Sequence, residues 1–279
     1  YVPEAATRTI MVQTGEADLA KGLAAADIDT INNDPNTTLY THDSIRFFYI
    51  YMNVNAAPFD NVLFRQAMNY AIDRDSCLLI QEEGYGQVVY DYVAPACVGF
   101  IGNPGNYSYD PAKAKELIAQ TGLVNPTIEL TCDSSFNSMA ALIQSNLADV
   151  GVTCNIVTIE QMADIIPLIN QDKADFGVVA WSNPADDAFW EPCTLSKSGI
   201  GANNFAKYSN PELEESFADA RAVDENVRIA AYHKWGEILA EDCPWIPLYV
   251  NQQKAAANEA LKGVEMCVTQ PINYYKLTY

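Results

Sequence analysis

The sequence predicts an α/β fold in which a mainly parallel sheet is flanked by helices. Between Thr127 and Trp181, strand-like and helix-like stretches alternate in the order β-α-β-α-β. Right-handed crossovers between consecutive strands make those three strands parallel. On either side of this unit the chain is mostly helical, with polar caps at helix starts and glycine at helix ends.

The elements follow in order. "PFDNVLFRQAMNYAIDRDSCLLIQEEGYG" reads as one long helix, entered at Asp60 as N-cap, carrying Val62, Ala67, Met68, Ala71, Ile72, Leu78 and Leu79 near helical spacing, and ended by Gly84. "YSYDPAKAKELIAQTGL" repeats the pattern: Asp110 caps, Pro111 takes the first turn and Gly122 stops the helix. Strands are expected at 127–132, 152–159 and 174–181, with helices at 138–151 and 160–171 between them and Pro167 as a kink. "SNPELEESFADARAV" and "DENVRIAAYHKWGEILAEDC" each open on a cap residue and read as helices; "PWIPLYV" and "NYYKLTY" read as strands.

Composition excludes several classes. The chain has 279 residues, 49% hydrophobic, enough for one large domain or two modest ones. Apolar runs such as "FFYIYM" and "FGVVAW" are too short to span a membrane. Sixteen basic against 36 acidic residues give a net charge of −20, with no basic stripe, so no nucleic-acid partner is expected. No signal peptide is visible and Tyr1 is not an initiator methionine, which reads as a piece of a longer chain or a processed form.

Seven cysteines are scattered without a Cys-x-x-Cys pair, and His42 and His233 are the two histidines, so no zinc site is expected. Cys132 and Cys154 fall on neighbouring strands, which leaves open a disulfide or two buried thiols; Cys193 with Cys243 is a second candidate pair.

In an open parallel sheet, ligands gather beyond the carboxyl ends of the strands. Those ends read "CDSS" with Asp133 and Ser134, "TIE", and "WSNPADD" with Trp181, Ser182, Asn183, Asp186 and Asp187. An indole offers a stacking face and one N–H donor, Ser182 and Asn183 offer short hydrogen-bonding groups, and the aspartates accept from an amine. The alternative is structural: Trp181 in the core and the aspartates capping the next helix.

No Gly-x-Ser-x-Gly elbow, His-Glu-x-x-His or phosphate-binding glycine loop is present, and His233 is a lone helical histidine. A carboxylate-dependent hydrolase would have to pair Asp133 with Asp187 across a cleft. The chain is not expected to be an enzyme, and no cofactor is expected.

Five stretches then carry a resemblance: "TGEADLA", "YMNVNAAPFDNVLFRQAMNYAIDRD", "YSYDPAKAKELIAQTG", "ADFGVVAW" and "YSNPELEESFADARAVDENVRIAAYHKWGEILAEDCPWIPLY". In this order, and across essentially the whole chain, they resemble the solute-binding proteins of peptide- and nickel-type ABC importers. The resemblance implies a periplasmic-binding-protein-like fold of two lobes enclosing a peptide or similar small solute. Residues 1–57 would be a returning part of the first lobe, 58–247 the second lobe, and 248–279 a crossover back. It also implies that members are about twice this length, an ABC permease as membrane partner, a monomer, and an extracellular or periplasmic location with a lipid anchor on the full-length protein.

Trp181 matches the family's second-lobe tryptophan, and Tyr274 aligns with a cleft-lining tyrosine. Where peptide-binding members hold the peptide amine with an aspartate, this chain has Pro184; where they often carry a basic residue before the tryptophan, it has Val178 and Val179. A blocked peptide, a sugar, a metal chelate or another solute therefore stays open, with Asp186 or Asp187 as a substitute amine partner. A ligand-sensing or interaction domain of a larger protein is the alternative reading.

Overall fold

A computed structural model describes residues 2–182, 194–267 and 272–279. Among them one sheet has seven strands: β1 (Leu19–Lys21), β2 (Thr37–Met52), β3 (Gly86–Val88), β4 (Thr127–Asp133), β5 (Thr153–Ile159), β6 (Phe176–Ser182) and β7 (Trp245–Asn258). Their order is β1-β7-β2-β6-β4-β5, with β3 added to β7. The expected β-α-β-α-β unit is present: β4 pairs in parallel with β5 along its length and with β6 at Thr131 opposite Gly177. Beyond β6 the sheet is antiparallel, because β2 runs against both β6 and β7.

The helices lying wholly within the described residues are α1 (Ala5–Gln13), α2 (Ile28–Asn32), α3 (Val62–Ala71), α4 (Arg74–Glu82), α5 (Pro111–Thr121), α6 (Asn137–Asp149), α7 (Met162–Asn170), α8 (Pro211–Glu215) and α9 (Glu225–Asp242). Helix α5 follows its sequence signals: Asp110 accepts from Lys113 N, Pro111 opens the first turn, and Gly122 closes in the left-handed region at φ 74°.

Elsewhere the expectations need correction. The single helix expected over 60–83 is two. Ile72 leaves helical geometry at φ −94°, ψ 122°, and Asp73 then caps α4 by accepting from Ser76 N. The first N-cap is Asn61, accepting from Leu63 N, rather than Asp60. The helix expected over "SNPELEESFADARAV" is the short α8 followed by a 3-10 turn at Asp219–Arg221. The expected final strand is a 3-10 turn, Tyr274–Lys276, tied back by a bridge between Lys262 and Thr278.

Strand β2 is the spine. Phe48, Ile50 and Met52 enter one core, under α3 to α6; Phe47, Tyr49 and Tyr51 enter the opposite core, with α7 to α9. Burial on both faces explains why "FFYIYM" reads as an unbroken apolar run instead of an alternation. A smaller outer core joins Val12, Ala20, Leu23 and Ile31 to Ala256 of β7, with Leu39 of β2 packed against it. β2 and β7 thus serve both the main body and the outer layer. Their register slips between Asp43 and Phe47 and again between Phe48 and Tyr49.

One buried cation locks α4 to the sheet. Arg74 is 1% exposed and donates from Nε to Pro247 O at 2.6 Å, from Nη1 to Asn69 O at 2.9 Å and from Nη2 to Asn69 Oδ1 at 2.9 Å. Its guanidinium also lies 4.6 Å from the centroid of the Tyr90 ring.

The disulfide candidates are not bridges. Cys154 lies opposite Ile128 and Cys132 opposite Thr158, so the two are four residues out of register, about 13 Å along the strand. That exceeds disulfide reach, and both are free thiols. Cys243 is free as well: its Sγ lies 2.8 Å from Tyr107 Oη and donates to Ala240 O at 3.1 Å. Cys193 lies outside the described residues.

Candidate functional site

The parallel strands end toward one edge of the sheet: Asp133 lies level with Ile159, and β6 runs on three residues past that level to Ser182. Asp133 is half-buried, and its Oδ1 accepts from Ser135 N at 2.9 Å and from Ser135 Oγ. It therefore caps the single 3-10 turn Ser134–Phe136. That turn delivers Phe136 edge-on to Phe48, 6.1 Å between ring centroids, and leaves Ser134 exposed.

Trp181 and Ser182 close β6. Trp181 is half-buried opposite Phe47; Ser182 is exposed opposite Arg46. Successive strand residues face opposite sides, so the indole takes the Phe47 side of the sheet and the Ser182 hydroxyl the Phe48 side. Asn183, Asp186 and Asp187 lie outside the described residues.

Tyr274 is elsewhere. It is 55% exposed, and Lys21 Nζ lies 5.8 Å from its ring centroid. With Arg8, Asp18 and Tyr279 it lines a cavity of about 610 Å³ on the outer layer. Lys21 pairs with Ala255, which faces Tyr40, six residues along β2 from Arg46. The structure brings Trp181, Ser182 and the Asp133 turn to one edge and does not bring Tyr274 to it.

Sequence reasoning missed Arg46. It is exposed on a strand whose residues 47–52 are all buried, and its guanidinium carbon lies 5.4 Å from the Phe48 ring centroid. Phe48 stacks in turn on Tyr249 at 4.5 Å. The available signal was a lone basic residue opening the apolar run "RFFYIYM".

Below Arg46 the register slip is filled by polar groups. Ser44 Oγ donates to Asn251 Oδ1 at 2.9 Å and accepts from Arg46 N at 2.8 Å. Asn251 Nδ2 donates to Glu82 Oε1 at 3.2 Å, and Lys254 Nζ pairs with Glu82 Oε2 at 2.7 Å. Lys254 also lies 5.7 Å from the Tyr85 ring centroid. Burial holds the Tyr249 hydroxyl well above the usual phenol range, so beside this network it stays neutral.

Among the described residues no cluster of three His, Cys, Asp or Glu side chains could hold a metal ion, and no helix is long and apolar enough to cross a membrane.

Similar proteins share this architecture. Heme-binding protein A of Haemophilus influenzae is 30% identical over 98% of this chain and 51% of its own length. The glutathione-binding protein GsiB of Escherichia coli is 29% identical over 92% of this chain and 52% of its own. The periplasmic binding protein DppA of Helicobacter pylori, solved in complex with the peptide STSA, superposes with a TM-score of 0.85 at 25% identity, covering 99% of this chain and 55% of that one. The chain spans about half the length of the curated relatives it matches. The family model for bacterial extracellular solute-binding proteins, family 5, matches residues 1–203, and the chain belongs to that family.

Proposed function

We propose that this chain is about half of the ligand-capturing component of an ABC importer, which takes up a peptide or similar small solute between two lobes and hands it to a membrane permease. Residues 58–247 form most of the second lobe in this reading, and residues 1–57 and 248–279 belong to the first. The observation that carries it is the edge at Trp181 and Ser182, standing beside two long strands, β2 and β7, that run from the main body into the outer layer. Relatives named for heme, glutathione and peptide binding support a small organic solute.

Asn183, Asp186 and Asp187 extend the edge as further ligand contacts. Asp133 and Ser134 border it, and Tyr274 contributes from the first lobe. Closure turns on β2 and β7. Asn53, just past the end of β2, and Pro247 on β7 are both buried, which disfavours them as hinges. The slip between Asp43 and Phe47, where pairing to β7 lapses, is the better pivot. The whole protein is a monomer outside the cytoplasmic membrane, held there by a lipid anchor.

The test uses the full-length protein, purified without denaturation. Native mass spectrometry is expected to find small bound solutes, and small-angle scattering is expected to show compaction when peptides, glutathione or heme are added. A protein that carries nothing and keeps its radius with every probe is not this kind of binder. Turnover lost on Asp133→Asn would favour the hydrolase reading, which the capping role of Asp133 already disfavours.

A further inference from the structure

We propose that Arg46 is the anion anchor of this site, holding a carboxylate of the solute with help from the Ser182 hydroxyl. The inference rests on the binding reading above and adds the chemical class of what is bound.

Unlike Arg8, Arg65 and Arg74, whose guanidinium groups are held by backbone carbonyls, the Arg46 guanidinium makes no hydrogen bond and no ion pair among the described residues. In a chain with 36 acidic and 16 basic side chains, an exposed arginine with no carboxylate partner among the described residues stands out. Three carboxylates of adjoining elements are engaged by other donors among the described residues. Glu82 is taken by Lys254 and Asn251, Asp43 by Gln252 at 2.9 Å, and Asp133 by Ser135.

The position suits a ligand. Arg46 sits inside the register slip of β2, so it does not contribute to the β7 ladder, and it faces Ser182 across the β2–β6 pair at the carboxyl edge. Phe48 supports it from beneath and is itself packed against Tyr249 and Phe136. An arginine resting on aromatic rings keeps its planar fork of N–H donors available at its edge. That fork matches the two oxygens of a carboxylate, and a hydroxyl supplies a third donor. A single cation in a field of net charge −20 selects a small ligand with one or two acids and repels polyanions.

The experiment offers the full-length protein an equimolar pool of tripeptides as free acids and the same pool as C-terminal amides, read by native mass spectrometry. A parallel arm offers short mono- and dicarboxylic acids against their amides, which separates a peptide terminus from a free organic acid. Wild type is expected to retain the acid forms of one arm at least tenfold over the amides. R46Q is expected to erase that preference by lowering retention of the acids to that of the amides, R46K to restore part of it, and S182A to reduce it a few-fold. Equal retention of acids and amides by wild type, or a preference that survives in R46Q, overturns the anchor and leaves the binder reading standing. Retention of neither form in either arm overturns the anchor, and the binder reading is then decided by the compaction measurement with peptides, glutathione and heme.

Discussion

Glu82 Oε2 and Lys254 Nζ meet at 2.7 Å behind the point where β2 slips out of register with β7, their side chains 13% and 5% exposed. The pair ties the end of α4 to the outer half of β7 across the slip. Removing one partner leaves a buried charge without compensation, whereas replacing both removes the charge altogether. Lys254→Met is expected to cost about 3 kcal/mol in urea unfolding. The double variant Glu82→Leu/Lys254→Met is expected to recover more than half of that loss. Equal losses in the single and double variants would show that the pair packs without pairing.

Arg74 poses a different problem, because carbonyl oxygens hold it instead of a carboxylate. Burial lowers its pKa from the ordinary arginine value, yet the guanidinium stays charged and satisfied by its acceptors. Arg74→Lys keeps the charge and loses the fork; Arg74→Met also strands the acceptors at Asn69 and Pro247. Each is expected to destabilise by about 3 kcal/mol in chemical denaturation. An unchanged midpoint for Arg74→Lys would rule out the geometric account.

Gly177 marks the closest approach of β4 and β6. A Cβ there would lie 2.7 Å from Thr131 O and 2.7 Å from Tyr51 Oη. The carbonyl belongs to the paired strand and has little room to retreat. Gly177→Ala is expected to cost about 2 kcal/mol through overpacking, read as a drop in thermal midpoint. A neutral result would mean that the strands sit farther apart than described.

The buried thiols make stability depend on alkaline pH. Burial pushes Cys77 and Cys243 up to about 12, and Cys132 and Cys154 up to about 11, from an ordinary 9.0. Below pH 9 both states keep these protons and the stability is fully present. Between 9 and 11–12 the unfolded chain releases protons that the native state retains, so stability falls as pH rises. The slope is at most about 1.4 kcal/mol per pH unit for each thiol. Cys243→Ala is expected to shallow it. At pH 8, iodoacetamide and non-reducing peptide mapping are expected to find all four unbridged and unmodified until the protein unfolds.

The parallel unit was the most legible part of the fold. Its strands and helices each fit within one stretch of consistent period, bounded by glycine or polar caps, and the observed bounds move by only one or two residues. The break between α3 and α4 was hidden because Ile72 and the apolar residues of both helices keep helical spacing through it; Asp73 and Ser76 were its real signal. The length of β7 was hidden for the opposite reason. "QQKAAAN" has no strand pattern of its own and pairs only because β2 and β1 lie beside it. The edge at Asp133, Trp181 and Ser182 was readable from topology. Arg46 was not, since its importance comes from a neighbour more than a hundred residues away and from a slip that no local pattern records.

That same β2–β7 pairing governs how the chain reaches its native state. Asp43 and Gln252, joined by a hydrogen bond across the two strands, are 209 residues apart in sequence. The unit from β4 to β6 can close its own loops early, each over a short span. β2 gains its second neighbour only when Trp245–Asn258 is available, so its edge waits, open and apolar, for β7 to arrive. Closure of so long a loop makes folding slow. It also concentrates the risk of misassociation in the interval before β7 docks. The outer layer, built on the far halves of the same two strands, cannot become ordered before that moment.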